Sequence, residues 1–271
     1  MSLLSKLQNI LESHHIWAKK QFGQNFLINE KVYEDILSSA ELSPSDVVIE
    51  VGPGTGFLTE RLISDAKQVM VIEKDVDMIN VLNERFSDAS NLEIIHDDIL
   101  QFDISNIKSD KYKVVANIPY YITSPILRFF LQSSNPPTRM VLLVQKEVAE
   151  KICNKKHKSV LALDTQIFGD PKIIAMVPPE SFHPAPKVDS AVIQIDVFDK
   201  PLIPEEDLPL FFKIIHHCFS QKRKKIRNTL AQYLQLKTQD LDGKFSFSVE
   251  SRPEALNVRD WLEVIEFVKK V

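Results

Sequence analysis

Asp46-Val47-Val48-Ile49-Glu50-Val51-Gly52-Pro53-Gly54-Thr55-Gly56 decides the fold. Asp46–Val51 is mostly apolar and short enough to be one buried strand, and a helical pattern, Phe57–Asp65, begins directly after three glycines at alternate positions. Glycine lets a backbone turn sharply and come close to a ligand, and Pro53 stiffens the turn. The spacing is GxGxG, whereas a dinucleotide fingerprint reads GxGxxG. That difference, and the lack of a hydride-transfer partner, argue against a nicotinamide-dependent oxidoreductase.

Outward from this stretch, short Val- and Ile-rich runs alternate with helical ones. Gln68–Glu73, Asn91–His96, Tyr112–Asn117 and Met140–Gln145 read as strands, and Val76–Phe86, Ser124–Leu131 and Lys146–Ile152 as helices. Such alternation implies a parallel sheet covered on both faces. Lys172–Val177 and Ser190–Val197 add two strands, joined by VPPESFHPAPKVDS, a loop whose four prolines and length suggest a functional role. The sum is an α/β, Rossmann-like domain with a seven-stranded, mostly parallel sheet, placed at residues 1–200. Pro201, Pro204 and Glu205-Glu206-Asp207 mark a boundary, and residues 201–271 form a small all-helical domain with helices at Leu208–Phe219, Lys222–Leu234 and Val258–Val268. Asn257 is the N-cap of the last, with Asp260 three residues on.

Composition narrows the function. The 271 residues are 44% hydrophobic, enough for a sizeable core. No apolar stretch approaches the length of a membrane helix. Lys6, Gln8, Asn9 and Glu12 interrupt the apolar N-terminus, which also lacks a small-residue cleavage site, so a short amphipathic helix or frayed tail is expected there and not a signal peptide. Cys153 and Cys218 form no CxxC pair and the seven histidines show no ligand spacing, so a reducing, cytoplasmic location is expected and no metal. The net charge of −4 hides a division: residues 200–271 hold 13 Lys and Arg against 10 Asp and Glu. Within them Lys222, Arg223, Lys224, Lys225 and Arg227 occur without an intervening acid, a candidate phosphate-binding surface on the helix expected from Lys222.

The strand ends supply the chemistry. Glu73 closes the second strand 21 residues beyond Gly52, where a carboxylate can accept from both hydroxyls of a ribose. Asp98, after the third, can accept from an adenine amino group. With Gly52 and Gly54 they describe an adenosine-shaped pocket. The fourth strand ends in Asn117-Ile118-Pro119-Tyr120. An adenine amine is a poor nucleophile because its lone pair is delocalised into the ring. The Asn117 amide oxygen and the Ile118 carbonyl can each accept one amine hydrogen and hold the lone pair toward a sulfonium methyl. Pro119 fixes the backbone, and Tyr120 offers a face for the base. No strong base is required, because the donor is already cationic; positioning and fixed dipoles carry the reaction. A target adenine must be swung out of its helix or loop, and Phe182 is the candidate second aromatic to sandwich it.

Lys20–Leu27 (KQFGQNFL), GPGTG, Glu73, Asp98, NIPY, FHPAPKVDSAV and FSQKRKKIRNTL occur in an order and spacing that resemble the ribosomal RNA adenine N6,N6-dimethyltransferases of the small subunit. The likeness runs from Lys19 almost to the C-terminus. It implies a class I methyltransferase using S-adenosylmethionine, cofactor contacts at Asn25, Leu27, Gly52, Glu73, Asp98 and Asn117, and a segment at Asn25 and Leu27 that closes over the cofactor. It also implies that two adjacent adenines near the 3′ end of the small-subunit (16S) RNA each receive two methyls during ribosome assembly, on an immature subunit and by a monomer. Tyr121 departs from the family's usual Asn, and Lys158-Ser159 from a Tyr-Gly pair. The alternatives are a large-subunit adenine methyltransferase of the antibiotic-resistance type, a DNA adenine methyltransferase, and a non-catalytic assembly or transcription factor.

Overall fold

The computed structural model describes residues 1–221 and 223–271; Lys222, one of the candidate phosphate contacts, lies outside the described residues. The chain divides into two compact units, one of Met1–Ala149 with Asp170–Val197, the other of Glu150–Gly169 with Phe198–Val271.

The N-terminal helix α1 (Leu3–Ser13) buries Leu3, Leu7 and Leu11 at helical spacing, and Ser2 caps it by accepting from the Ser5 N–H. A two-residue strand β1 (Phe26–Leu27) and helix α2 (Glu30–Ala40) follow. Then come β2 (Val47–Val51), α3 (Phe57–Asp65), β3 (Gln68–Glu73), α4 (Val76–Arg85), β4 (Leu92–His96), β5 (Lys113–Asn117), α5 (Thr123–Leu131) and β6 (Arg139–Gln145). Helices α6 (Lys146–Cys153) and α7 (Val160–Gln166) precede β7 (Gly169–Val177), β8 (Phe182–His183) and β9 (Ser190–Val197).

Seven strands form one sheet in the order β4-β3-β2-β5-β6-β9-β7. The pairs among β2 to β6 are parallel, whereas β9 runs antiparallel to β6 with Leu142 opposite Ile193. Val48, Ile49, Val69, Val71, Val114, Val115 and the whole of Met140–Val144 are buried, as expected when helices cover both faces of a sheet. The edge strand β4 has no fully buried residue: Leu92, Ile94 and Ile95 are half-buried and Glu93 and His96 exposed. From β2 the chain winds through β3 to β4, then returns to place β5 on the other side of β2. The carboxyl ends of β2 and β5 therefore flank the topological switch point, where open α/β sheets bind ligands.

The second unit packs α8 (Leu208–Ser220), α9 (Ile226–Leu234) and α10 (Val258–Val268) around Phe211, Ile214, Phe219, Leu230 and Trp261. Asn257 and Asp260 form the expected capping box on α10. Two features differ from the sequence reading. Residues 150–169 join this unit, so its division from the first is not a single cut at 200. Main-chain bonds tie them in: Lys158 N–H to the Glu254 carbonyl (2.7 Å), Phe198 N–H to Phe168 (2.8 Å) and Leu202 N–H to Ile167 (2.8 Å). These partners are remote in sequence, which a boundary placed by composition cannot register. Helix α9 begins at Ile226 with Lys225 at its N-cap, later than the sequence pattern placed its start. A helix from Lys222 would crowd its basic side chains into the first turn, at the positive end of the helix dipole.

Candidate active site

The switch point opens into a cavity within the first unit. Its walls include Gly52, Gly54, Glu73, Asp98, Asn117, Pro119, Tyr120, Asn25 and Leu27, so all the residues assigned to the cofactor from sequence meet in one place. Gly52 and Gly54 both have positive φ (65° and 57°), conformations that L side chains rarely adopt. A Cβ on Gly52 would lie 3.8 Å from Pro119 Cδ, so the glycine loop and the NIPY turn face each other closely.

Glu73 is held by three main-chain donors: Lys74 N–H and Asp75 N–H on Oε1 (both 2.8 Å) and Gly54 N–H on Oε2 (3.3 Å). Burial raises its pKa, and the three donors pull the other way. Asp98 sits at the same edge, its Oδ2 2.8 Å from Lys74 Nζ; that bond, against partial burial, holds its carboxyl below the ordinary range. The Leu100 N–H fixes Oδ1 at 3.1 Å. Both carboxylates keep lone pairs for further donors.

Asn117 Nδ2 donates to the Asn25 main-chain carbonyl at 3.2 Å. That bond fixes the amide's orientation and commits its nitrogen, leaving Oδ1 as the acceptor. The Tyr120 hydroxyl meets Ser190 Oγ at 2.6 Å, which anchors the phenol end of the ring, and burial raises its pKa. Tyr121 also lines the cavity but is 63% exposed.

The segment Phe22–Leu27 covers the glycine loop: a Cβ on Gly54 would lie 3.2 Å from Phe26 Cε1, and one on Gly23 3.4 Å from Tyr121 Cε1. The Pro-rich loop braces this roof. Strand β8 pairs antiparallel with β1, placing Phe182 opposite Leu27, and Ile28 N–H donates to the Ser181 carbonyl at 2.8 Å. Phe182, the sequence candidate for the second face of an aromatic sandwich, does not line the cavity in this structure. It is 3% exposed and lies in the hydrophobic core cluster. An aromatic among four prolines carries the same sequence signal whether it anchors a loop or meets a base.

Sequence reasoning missed Lys74, Ser190 and Glu50. Glu50 is a fully buried cavity-wall carboxyl pushed up to about 8, chiefly by burial, while the Thr59 hydroxyl donates to its Oε2 at 2.6 Å and pulls the value down. A strand residue between Ile49 and Val51 gave no sign of that. Between about pH 4.5, its ordinary value, and about 8 the folded chain holds a proton that the unfolded chain has released, so stability falls as pH rises through this window. Glu50→Gln keeps an acceptor for Thr59 and removes the titration. Urea unfolding is expected to show the variant gaining on the parent as pH rises from 5 to 8.5, by about 2–3 kcal/mol against a ceiling of ~1.4 kcal/mol per pH unit; parallel stability curves would refute the assignment.

In the second unit the basic residues divide. Lys225 and Arg227 both bond to Glu250, and Arg227 also reaches Asp242 at 3.0 Å. Arg223 and Lys224 lie exposed in the turn before α9. Of the residues that depart from the family pattern, Lys158 is 8% exposed and bonds to Asn154 and Gln166, and Ser159 caps α7 by accepting from the Ala162 N–H. They shape the fold locally.

Against known proteins, the family model for ribosomal RNA adenine dimethylase matches residues 16–270. The chain belongs to the ribosomal RNA adenine dimethylase family. Among its relatives are proteins named ribosomal RNA small subunit methyltransferase A: one from Dehalococcoides mccartyi, 38% identical over 96% of this chain and 91% of its own length, and one from Clostridium acetobutylicum, 36% identical over 94% and 95%. Two crystal structures share the fold of this chain at 27% identity each. A dimethyladenosine transferase from Plasmodium falciparum has a TM-score of 0.75, covering 90% of this chain and 98% of that one, and the 23S rRNA methyltransferase ErmE scores 0.73, covering 90% and 100%. Among the described residues, no helix is long and apolar enough to cross a membrane, and no group of three or more His, Cys, Asp or Glu could hold a metal ion.

Proposed function

We propose that the cavity binds S-adenosylmethionine and that the enzyme dimethylates N6 of two adjacent adenines near the 3′ end of small-subunit ribosomal RNA, acting as a monomer on an immature subunit. The observation that carries this reading is the Asn117 amide, oriented by Asn25 within a wall shared with the glycine loop. The pocket suits the cofactor: Glu73 can accept from the ribose hydroxyls, Asp98 from the adenine amine, and the glycine loop brings main-chain atoms close. Bound there, the cofactor supplies a methyl group already activated on a sulfonium. Asn117 Oδ1 and the Ile118 carbonyl accept the two hydrogens of N6 and direct its lone pair, while Tyr120, anchored by Ser190, offers its ring to the base. The proton lost on transfer leaves an acidic ammonium and needs no dedicated base.

Mass spectrometry of small-subunit RNA incubated with the protein and S-adenosylmethionine is the test. Two dimethyladenosines are expected; transfer confined to large-subunit RNA would replace this reading with the antibiotic-resistance one, and no transfer to either would favour a non-catalytic factor. The higher identity to small-subunit enzymes supports the first outcome.

The turn before α9 is the proposed phosphate contact. Arg223→Gln with Lys224→Gln is expected to weaken RNA binding about tenfold at 0.1 M salt and to flatten log K against log salt by about 1–2, leaving the methylated base unchanged. Lys225 and Arg227, already paired to Glu250, contribute less. An unchanged affinity across several salt concentrations rules out the turn.

A further inference from the structure

Beneath the roof lies a buried carboxylate with no part in the chemistry above. Asp75 is 1% exposed, and three donors converge on its side chain: Lys19 Nζ on Oδ1 (2.6 Å), Gln24 Nε2 on Oδ2 (2.8 Å) and the Asp77 N–H, which it caps at the start of α4 (3.1 Å). Lys19 also reaches Asp77 Oδ2 at 2.5 Å, and its main-chain N–H donates to Gln24 Oε1 at 2.8 Å. Residues 19 and 24 thus close a ring whose two ends rest on one carboxylate. On its other side, the Asp75 main-chain N–H is one of the donors that fix Glu73. The next residue along the roof, Asn25, accepts from Asn117. A continuous set of bonds therefore runs from Glu73 through Asp75 and Gln24 to the roof and on to Asn117.

We propose that Asp75, with Lys19 and Gln24, is the latch that positions the roof over the cofactor and registers it against the ribose acceptor; this rests on the reading of the cavity as the S-adenosylmethionine site. Asp75 is not among the residues that line the cavity, so it acts through Lys19, Gln24 and Glu73 and is a positioning residue. A buried carboxylate holding two donors from one short segment stabilises that segment in a single arrangement, because leaving the Asp75 carboxylate short of donors costs more than the bond itself contributes. Cofactor binding and roof closure are then coupled, since each orders what the other needs.

The test uses the full chain and S-adenosylhomocysteine, the demethylated cofactor. By calorimetry Asp75→Asn is expected to weaken binding about 10- to 100-fold and Lys19→Met about 10-fold, with Lys19→Arg within threefold of the parent. In steady state the loss is expected in KM for S-adenosylmethionine and not in kcat. Saturating S-adenosylhomocysteine is expected to protect the bond after Lys20 from trypsin in the parent and much less in Lys19→Met. Should Asp75→Asn fail to fold, Lys19→Met, which leaves the α4 cap and the bond to Glu73 intact, carries the test. Parental affinity and protection in Lys19→Met would overturn the latch. A parent chain that binds no S-adenosylhomocysteine would overturn the reading of the cavity, and the latch with it.

Discussion

Asn117→Ala is expected to lower methyl transfer about 10²–10³-fold in kcat while the protein stays folded, with its Tm within a few degrees of the parent. The magnitude follows from removing a fixed acceptor aimed at a reacting group in a site shielded from water. Asn117 is a half-buried strand terminus and not a core residue, so the truncation leaves no large cavity. Asn117→Asp separates the amide's two roles. It retains an acceptor for the amine but sets a carboxylate oxygen against the Asn25 carbonyl, which Nδ2 now holds at 3.2 Å. Its expected signature is a rise in KM for S-adenosylmethionine larger than that of Asn117→Ala. Single-turnover transfer, with calorimetry of S-adenosylhomocysteine, measures both. Near-parental kcat in Asn117→Ala would remove the amide from the mechanism.

The largest expected loss of stability comes from Gly56→Ala. Gly56 is the N-cap of α3 at φ +84°, and a Cβ there would sit 2.5 Å from Phe86 Cε2 and 2.9 Å from Leu82 Cδ2. Positive φ costs an L-residue about 1–2 kcal/mol, and forcing a methyl into packed side chains about 1–3 more. A total of about 2–5 kcal/mol is expected as a fall in the urea midpoint at constant m. Gly243 is the control: its φ is +70°, but nothing lies within 4 Å of an added Cβ, so Gly243→Ala is expected to cost the backbone part alone, about 1–2 kcal/mol. Equal losses at the two positions would show that the packing behind the glycine loop is softer than the geometry indicates. The third glycine of GPGTG thus serves the junction of the loop with Leu82 of α4 and Phe86 at its C-cap, while Gly52 and Gly54 face the cavity.

Much of this was legible along the chain. Strands β3 and β9 and helices α3 and α10 begin and end where the hydrophobic pattern places them, because period and capping are local properties. Glu73, Asp98 and Asn117 were also readable, since parallel strands deliver their carboxyl ends to one edge whatever the details of packing. The latch was half-legible: Asp75 before the helical run at Val76 has the form of an N-cap, but nothing nearby pointed to Lys19, 56 residues away. Phe182 shows the opposite case. Its neighbourhood in sequence fits a base-stacking loop, and only the pairing of β8 with β1 puts the ring in the core.

Sequence alone determined the α/β class, the switch-point edge and the residue types at it, because these depend on periodicity and on which end of each strand a residue occupies. Tertiary structure alone decided that Glu50 holds a proton near neutrality, that Lys225 and Arg227 are already spoken for by Glu250, and that residues 150–169 pack with the helices. The physical reason is common to all three. Burial and pairing are set by what lies within a few ångströms in space, and those neighbours are scattered along the chain.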